Sequence, residues 1–295
     1  MLEAQKAIDL LVEKYSYQDA QELAKKITQD YAKSFYFAAR FLPKEKKNDT
    51  YGLYAFCRQT DFLADDLEVD LETKKAALNL WQKMTLEAFE KNLSDNPILN
   101  LFVQVCSKYQ IPQKLAFDLI DGVKLDLSKN RYQSYQELEK YCYLVASVPG
   151  LMMTHLLGFS DQKALLYAEK LGLAMQLTNI LRDVWEDFGN DRIYLPLKDL
   201  ERFGYSLVDL ETKKNNGALQ EFLKFYIQKA RDLYSESSLG IIYLSKEGQK
   251  TAKLASKIYS GILSEIENQN YDIFTKRASV NIWKKLWIVV SNLFS

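Results

Sequence analysis

The chain has 295 residues, 47% of them hydrophobic and 26% charged, with 39 Lys and Arg set against 39 Asp and Glu. That is the composition of a globular protein long enough to bury a large core. The zero net charge argues against a nucleic-acid binder, and no run of about 18 apolar residues is present to span a membrane.

In chain order, the N-terminal stretch MLEAQKAIDLLVEK carries acidic residues and no long apolar run, so it does not read as a signal peptide. Helical apolar spacing follows over 18–40, 50–67, 73–92, 112–127, 135–157, 161–188, 217–245 and 248–269, and strand-like alternation is scarce. Breaks are predicted at Pro43 with Lys44–Lys47, at Asp95 to Pro97, at Ile111-Pro112 and at Gly189-Asn190. Phe35, Phe37 and Phe41 read as core. The prolines are scattered and no Gly/Ser/Pro-rich linker appears, which predicts one all-α domain over 1–295.

Missing residues exclude several chemistries. Cys57, Cys106 and Cys142 are far apart and odd in number, so they form neither a disulfide framework nor a CxxC pair, and a reduced, cytoplasmic setting is expected. His155 is the only histidine, which removes His-rich metal sites and argues against a Ser-His-Asp hydrolase; alone on an apolar segment, it reads as structural. Neither GxGxxG nor GxxxxGK[ST] occurs. A protein of this kind that handles phosphate must do so with cationic side chains and carboxylate-held metal, which suits Mg²⁺.

Two stripes carry the polar signal. Tyr54, Arg58, Asp61 and Asp65 fall within roughly 60° of one another on a helix, in a segment otherwise mostly apolar. Gln176, Asn179, Asp183 and Asp187 fall within roughly 80° on a second such segment. Carboxylates one turn apart repel each other, and burying them unpaired is costly. Two such stripes make physical sense if they face each other and share cations bridged by a diphosphate; the alternative is two solvated faces.

At these residues the sequence resembles the squalene/phytoene synthase family. The likeness runs through KSFYFAARFLP (33–43), YGLYAFCRQTDFLAD (51–65), LIDGVKLDL (119–127), RY (131–132), YCYLVASVPGLMM (141–153), LGLAMQLTNILRDVWEDFGNDRIYLP (171–196) and YSGILSEIENQNYDIFTKRA (259–278). It implies a single-domain helical bundle of the isoprenoid synthase type around a central cavity. It makes Asp61, Asp65, Asn179, Asp183 and Asp187 the metal ligands, with Mg²⁺ expected and Mn²⁺ as a substitute. Ser34, Arg58, Arg182, Tyr259 and Arg277 become diphosphate contacts. Tyr54, Tyr141, Gln176, Arg192 and Tyr194 stand around the reacting centre. Arg58 and Arg182 have a plainer reading, as ion-pair partners of nearby aspartates.

The implied activity is head-to-head (1–1′) condensation of two prenyl diphosphates through a cyclopropylcarbinyl diphosphate. Two geranylgeranyl diphosphates giving phytoene, without NADPH, is the first expectation. Farnesyl diphosphate giving squalene, presqualene diphosphate or dehydrosqualene is the alternative, and a non-catalytic assembly factor of the same fold a second. Three positions depart from the family pattern: Phe62 after Asp61 (with Asp66 nearby), Trp185 inside the second motif, and Pro149, which removes a helical N–H and predicts a kink. In the tail, Trp283, Leu286, Trp287, Val290 and Phe294 share a helical face; across 281–294 this reads either as a last helix on the core or as peripheral membrane contact. Oligomeric state is open.

Overall fold

The computed structural model describes residues 2–14, 19–65 and 69–281, apart from the side chain of Ser34. Among them the chain is helical, with no strand and only two isolated bridges, Arg131 to Ile193 and Phe159 to Leu244. In order the helices are α1 (Leu2–Glu13), α2 (Ala20–Tyr31), α3 (Lys33–Ala39), α4 (Lys44–Asp65), α5 (Leu71–Lys91), α6 (Pro97–Tyr109), α7 (Gln113–Leu125), α8 (Tyr135–Cys142), α9 (Val148–Leu157), α10 (Lys163–Gly189), α11 (Leu197–Arg202), α12 (Leu207–Glu211), α13 (Gly217–Ser238) and α14 (Lys246–Asn268). A π turn, Tyr143–Ser147, joins α8 to α9. No described helix is long and apolar enough to cross a membrane. The tail residues Trp283 to Phe294 lie outside the described residues.

The helices start where side chains satisfy the free N–H groups of their first turns. Asp19 accepts from Glu22 N, Asp70 from Glu72 N and Thr73 N, Ser134 from Glu137 N, and Asn216 from Leu219 N. Asn92 and Gln110 end α5 and α6 in the left-handed region, at φ 48° and 52°.

The structure corrects several predicted boundaries. The helix expected over 18–40 breaks at Ala32, with no Gly or Pro to mark it; beyond the break Phe35 and Tyr36 lie 5.4 Å from the rings of Tyr54 and Tyr51. Tertiary packing overrides propensity here. Phe41, expected in the core, is 44% exposed, and Phe35 and Phe37 are half-buried. Lys44–Lys47, predicted as a break, is the first turn of α4, whose Lys47 N–H donates to Pro43 O at 2.9 Å. The stretch Asp95 to Pro97 also starts a helix that the periodicity did not yield: Asn96 caps α6 and Pro97 occupies its first turn. Pro149 does disturb its helix, and the chain accommodates it with the π turn, which ends two residues earlier and widens the backbone near Val145, the position whose carbonyl a proline at 149 would crowd.

The described chain forms two compact units, each drawn from three stretches. The first takes Met1–Ser128, Val148–Gln162 and Tyr243–Thr251. Its axis is α4, which packs against α2, α5, α6, α7 and α9. Phe56 of α4 stacks on Phe102 at 3.7 Å and on Trp81 at 5.8 Å, and the Trp81 indole N–H donates to Thr60 Oγ1 at 3.0 Å. The second takes Lys129–Ser147, Lys163–Ile242 and Ala252–Ser295. Its axis is α10, which packs against α13 and the π turn. Gly172 permits that approach: a Cβ there would lie 2.5 Å from Ser147 Cα and 2.7 Å from Ser147 N.

Candidate functional site

In the first unit, α4 carries Tyr54, Arg58, Asp61 and Asp65 on one stripe, as the spacing predicts. Asp61 is half-buried, and burial, then the like charge of Asp65, push its carboxyl up from the usual 3.8 to about 7. Arg58 opposes that rise, while Asp126 of the segment after α7 adds to it. The Arg58 Nη1 bonds Asp65 Oδ2 at 3.3 Å, and its guanidinium lies 4.5 Å from the ring centre of Tyr31. Its Nε is buried with no hydrogen-bond partner. The plainer expectation, an ion pair on its own helix, therefore holds for Arg58, with one donor left over.

In the second unit, α10 carries Gln176, Asn179, Arg182, Asp183 and Asp187. Here the carboxylate is compensated. Arg277 donates to Asp183 from Nε at 2.7 Å and from Nη2 at 2.9 Å, and Arg182 Nε donates to it at 2.7 Å. Burial acts to raise the Asp183 carboxyl, but the hydrogen bonds of the two guanidinium groups outweigh it and hold it below the usual range. Glu186 lies 3.5 Å from Arg277 Nε. Tyr259 sits within the electrostatic reach of Arg182, Asp183 and Arg277, and burial pushes its hydroxyl up. Asn179 Nδ2 donates to Gln176 Oε1 at 3.4 Å, and Asn179 Oδ1 is buried without a partner.

The residues expected at the reacting centre divide the same way. Tyr54 packs on Phe35 in the first unit. In the second, Tyr141 and Tyr194 stack with ring centres 5.2 Å apart and hydroxyls 3.3 Å apart. Asp187, Arg192 and Tyr194 line one small cavity of about 10 Å³, room for about one water. The Arg192 N–H donates to Asp187 O at 2.8 Å. The side chain of Ser34 lies outside the description.

Several neighbours carried no sequence signal of their own. Tyr132 stacks on Tyr194 at 5.7 Å and lies tilted 5.4 Å from Tyr141, yet in the sequence it stands out only as half of a dipeptide. Tyr31 and Asp126 meet the first stripe through the tertiary fold alone. Trp185, a departure from the family pattern, packs on Phe188 at 5.4 Å and edge-on against Phe274 at 5.8 Å. It thereby anchors the segment that carries Arg277. His155 meets Phe159 edge-on at 5.4 Å, and burial lowers its pKa, as befits a structural histidine.

Among the described residues no three His, Cys, Asp or Glu side chains converge as a complete metal cage. Mg²⁺ does not require one, since it takes one or two protein carboxylates and fills its octahedron with water and phosphate oxygens. The donors fit that ion: all are oxygens, Asn179 Oδ1 is orphaned, and the Asp61–Asp65 pair is poorly compensated without a cation.

Comparison with known proteins gives a consistent result. Residues 28–284 match the family model described as squalene/phytoene synthase. A protein of Arthrospira platensis named phytoene synthase is 36% identical over 281 residues, covering 91% of this chain and 90% of that one. A 15-cis-phytoene synthase of Synechocystis sp. is 36% identical, covering 92% and 83%. The crystal structure of a dehydrosqualene synthase in complex with ligand superposes with a TM-score of 0.87 at 30% identity, covering 93% of this chain and 95% of that chain.

Proposed function

The chain belongs to the squalene/phytoene synthase family, and from that premise we propose that it condenses two molecules of geranylgeranyl diphosphate head to head into phytoene. The observation that carries this reading is the 36% identity, across nine-tenths of both chains, to a protein named phytoene synthase. The two carboxylate stripes support it, each flanked by arginine. We take the 295 residues as one synthase domain, a reading supported by the way the two units alternate along the sequence.

In this reading Asp61 and Asp65 hold divalent metal from one helix, and Asn179, Asp183 and Asp187 from the other, with Mg²⁺ the ion that suits oxygen donors best. When bound, the metal supplies positive charge that neutralises the leaving diphosphate. The chain's own residues do the rest. Arg58, Arg182 and Arg277 bind diphosphate oxygens; in the resting protein they are held beside Asp65 and Asp183, already partly desolvated and oriented. Ser34 and Tyr259 add hydroxyl donors. Departure of diphosphate from one substrate leaves an allylic cation, which alkylates the double bond of the second. Proton loss closes the cyclopropane, and a second ionisation with rearrangement gives the 1–1′ product. The faces of Tyr54, Tyr141 and Tyr194 stabilise passing cations, while Gln176 and Arg192 orient the groups around them. Phytoene needs only a final proton loss, so NADPH is not required.

The test is incubation of the purified protein with Mg²⁺ and either geranylgeranyl or farnesyl diphosphate, with and without NADPH, and mass spectrometry of the hydrocarbon. A C40 product from the longer substrate without NADPH is expected. A C30 product alone overturns the substrate assignment in favour of the squalene or dehydrosqualene branch. No product from either overturns the enzyme reading in favour of a non-catalytic member of the fold.

A further inference from the structure

The turn between α10 and α11 places Arg192 and Tyr194, and it does so in an unfavourable backbone state. Asp191 has φ +56°, in the left-handed region that costs a side chain more than it costs glycine, though Asp and Asn enter it more readily than most. An unusual set of bonds holds it there. Arg131 Nη1 donates to Asp191 O at 2.5 Å, and Arg131 Nη2 to Asp191 Oδ1 at 2.6 Å. Asn130 Nδ2 donates to Asp191 Oδ2 at 2.9 Å. The same Arg131 also donates to Asn130 O at 2.9 Å, which stiffens its own segment.

The clamp continues along the backbone on both sides of the residues of interest. Ile193 N donates to Asn130 O at 2.9 Å and Leu197 N to Tyr132 O at 2.9 Å, so residues 130–133 run beside 191–198 as a short parallel pairing. At its centre Tyr132, 1% exposed, closes a triangle of rings with Tyr194 and Tyr141, its ring centre 5.7 and 5.4 Å from theirs and theirs 5.2 Å from each other. The hydrogen bonds of the Arg131 guanidinium go to Asp191 and to Asn130 O. Its guanidinium engages the turn from outside, and the side chain of Asp191 is 78% exposed. An exposed ion pair contributes little to stability, so stability alone does not account for three side-chain hydrogen bonds converging on one left-handed residue.

We infer that Arg131 and Asp191 form a positioning pair, which acts through the turn and through Tyr132 to aim Arg192 and Tyr194 at the substrate. The inference rests on the proposed placement of Arg192 and Tyr194 at the reacting centre. Breaking the pair frees the turn to leave the left-handed state; Tyr194 then swings off the rings of Tyr132 and Tyr141. Because catalysis depends on geometry at the ångström scale, the loss falls on kcat rather than on substrate binding or folding.

The test compares Arg131→Ala, Asp191→Gly and the double variant with wild type. Asp191→Gly is chosen because glycine accepts the left-handed state without strain, so it removes the carboxylate and leaves the backbone conformation open. Arg231→Ala is the comparator: it removes an arginine–carboxylate pair to Glu267, with Nη1 to Oε1 at 2.8 Å, that joins α13 to α14. The expected result is a kcat lower by about 10- to 100-fold in each single variant, KM within about threefold, and a double variant no worse than the poorer single. Arg231→Ala keeps wild-type kcat with a similar change in Tm. Near-ultraviolet circular dichroism adds a readout independent of turnover: both single variants alter the tyrosine signal while the far-ultraviolet spectrum stays unchanged. Wild-type kcat in either single variant, losses that multiply in the double, or an unaltered tyrosine signal overturns the inference. If wild type itself makes no hydrocarbon, the functional reading falls instead, and the tyrosine signal still decides whether the pair sets the turn.

Discussion

Gly172→Ala tests the contact on which the second unit depends. The new methyl carbon would meet Ser147 Cα at 2.5 Å, Ser147 N at 2.7 Å and the Ala146 carbonyl carbon at 2.9 Å. All three are backbone atoms, so no rotamer change relieves the clash, and the π turn must retreat from α10 by about 0.9 Å to restore ordinary contact. Alanine gains about 1 kcal/mol over glycine in a helix interior, whereas overpacking of this kind costs about 1–3 kcal/mol. With rigid backbone on the receiving side, about 3 kcal/mol is the appropriate figure, for a net loss of about 2 kcal/mol. An unfolding entropy of about 2.1 cal/mol/K per residue turns this into a Tm drop of about 3 °C. Circular dichroism melts and a urea titration measure it. Gly189→Ala, with no heavy atom within 4 Å of its Cβ, provides the contrast and is expected to be neutral or stabilised by up to about 1 kcal/mol. A Gly172→Ala protein as stable as wild type would refute the close approach and, with it, the role given to glycine at this crossing.

Three further outcomes are expected. The Asp61 carboxyl is raised from 3.8 to about 7, so the stability linked to it is complete below about pH 4 and is lost as pH rises through about 7. The metal-free Asp61→Asn variant should therefore melt above wild type at about pH 8 but not at about pH 4, and should lack the Tm increase expected of wild type with Mg²⁺; an unchanged Mg²⁺ response would remove Asp61 from the proposed metal site. Asp209 is shifted the opposite way, from 3.8 to about 2, by Lys214 Nζ at 2.8 Å and by the Ser206 N–H and hydroxyl. Its contribution is present above about pH 4 and is lost as pH falls through about 2, so Asp209→Asn should melt below wild type at neutral pH, with the difference closing on acidification; a gap that persists at about pH 2 would refute the assignment. Cys57, Cys106 and Cys142 are buried and in no disulfide, and burial pushes the thiols of Cys57 and Cys106 upward. A thiol reagent should therefore label none of the three in the native protein and all three in denaturant, and rapid native labelling would contradict that burial.

The helical class and the two stripes were legible because both are local. A period near 3.6 shows in any window of a dozen residues, and Asp61 with Asp65, or Asp183 with Asp187, share a face by spacing alone. What the spacing does not contain is the state of each carboxylate. The two stripes are alike in sequence, yet Asp61 is driven toward the neutral form while Asp183 is held ionised. The difference arises from residues distant in sequence: Arg277 is 94 positions from Asp183, whereas Asp61 gains only the added negative charge of Asp126. The same holds for the backbone. Ala32 breaks a helix that its neighbours would continue, because Phe35 and Tyr36 find rings on α4. Pro149 announces a disturbance, but only the packing of α10 against the turn, through Gly172, shows how it is absorbed. Sequence periodicity thus reads out which side chains share a helix face, and the charge those side chains carry is decided by what the rest of the chain brings to that face. For this protein the consequence is specific. Asp183 is neutralised by arginine before any substrate arrives, so under the proposed function an incoming diphosphate must compete with it for Arg182 and Arg277, whereas Asp61, short of positive charge, gains from a bound cation.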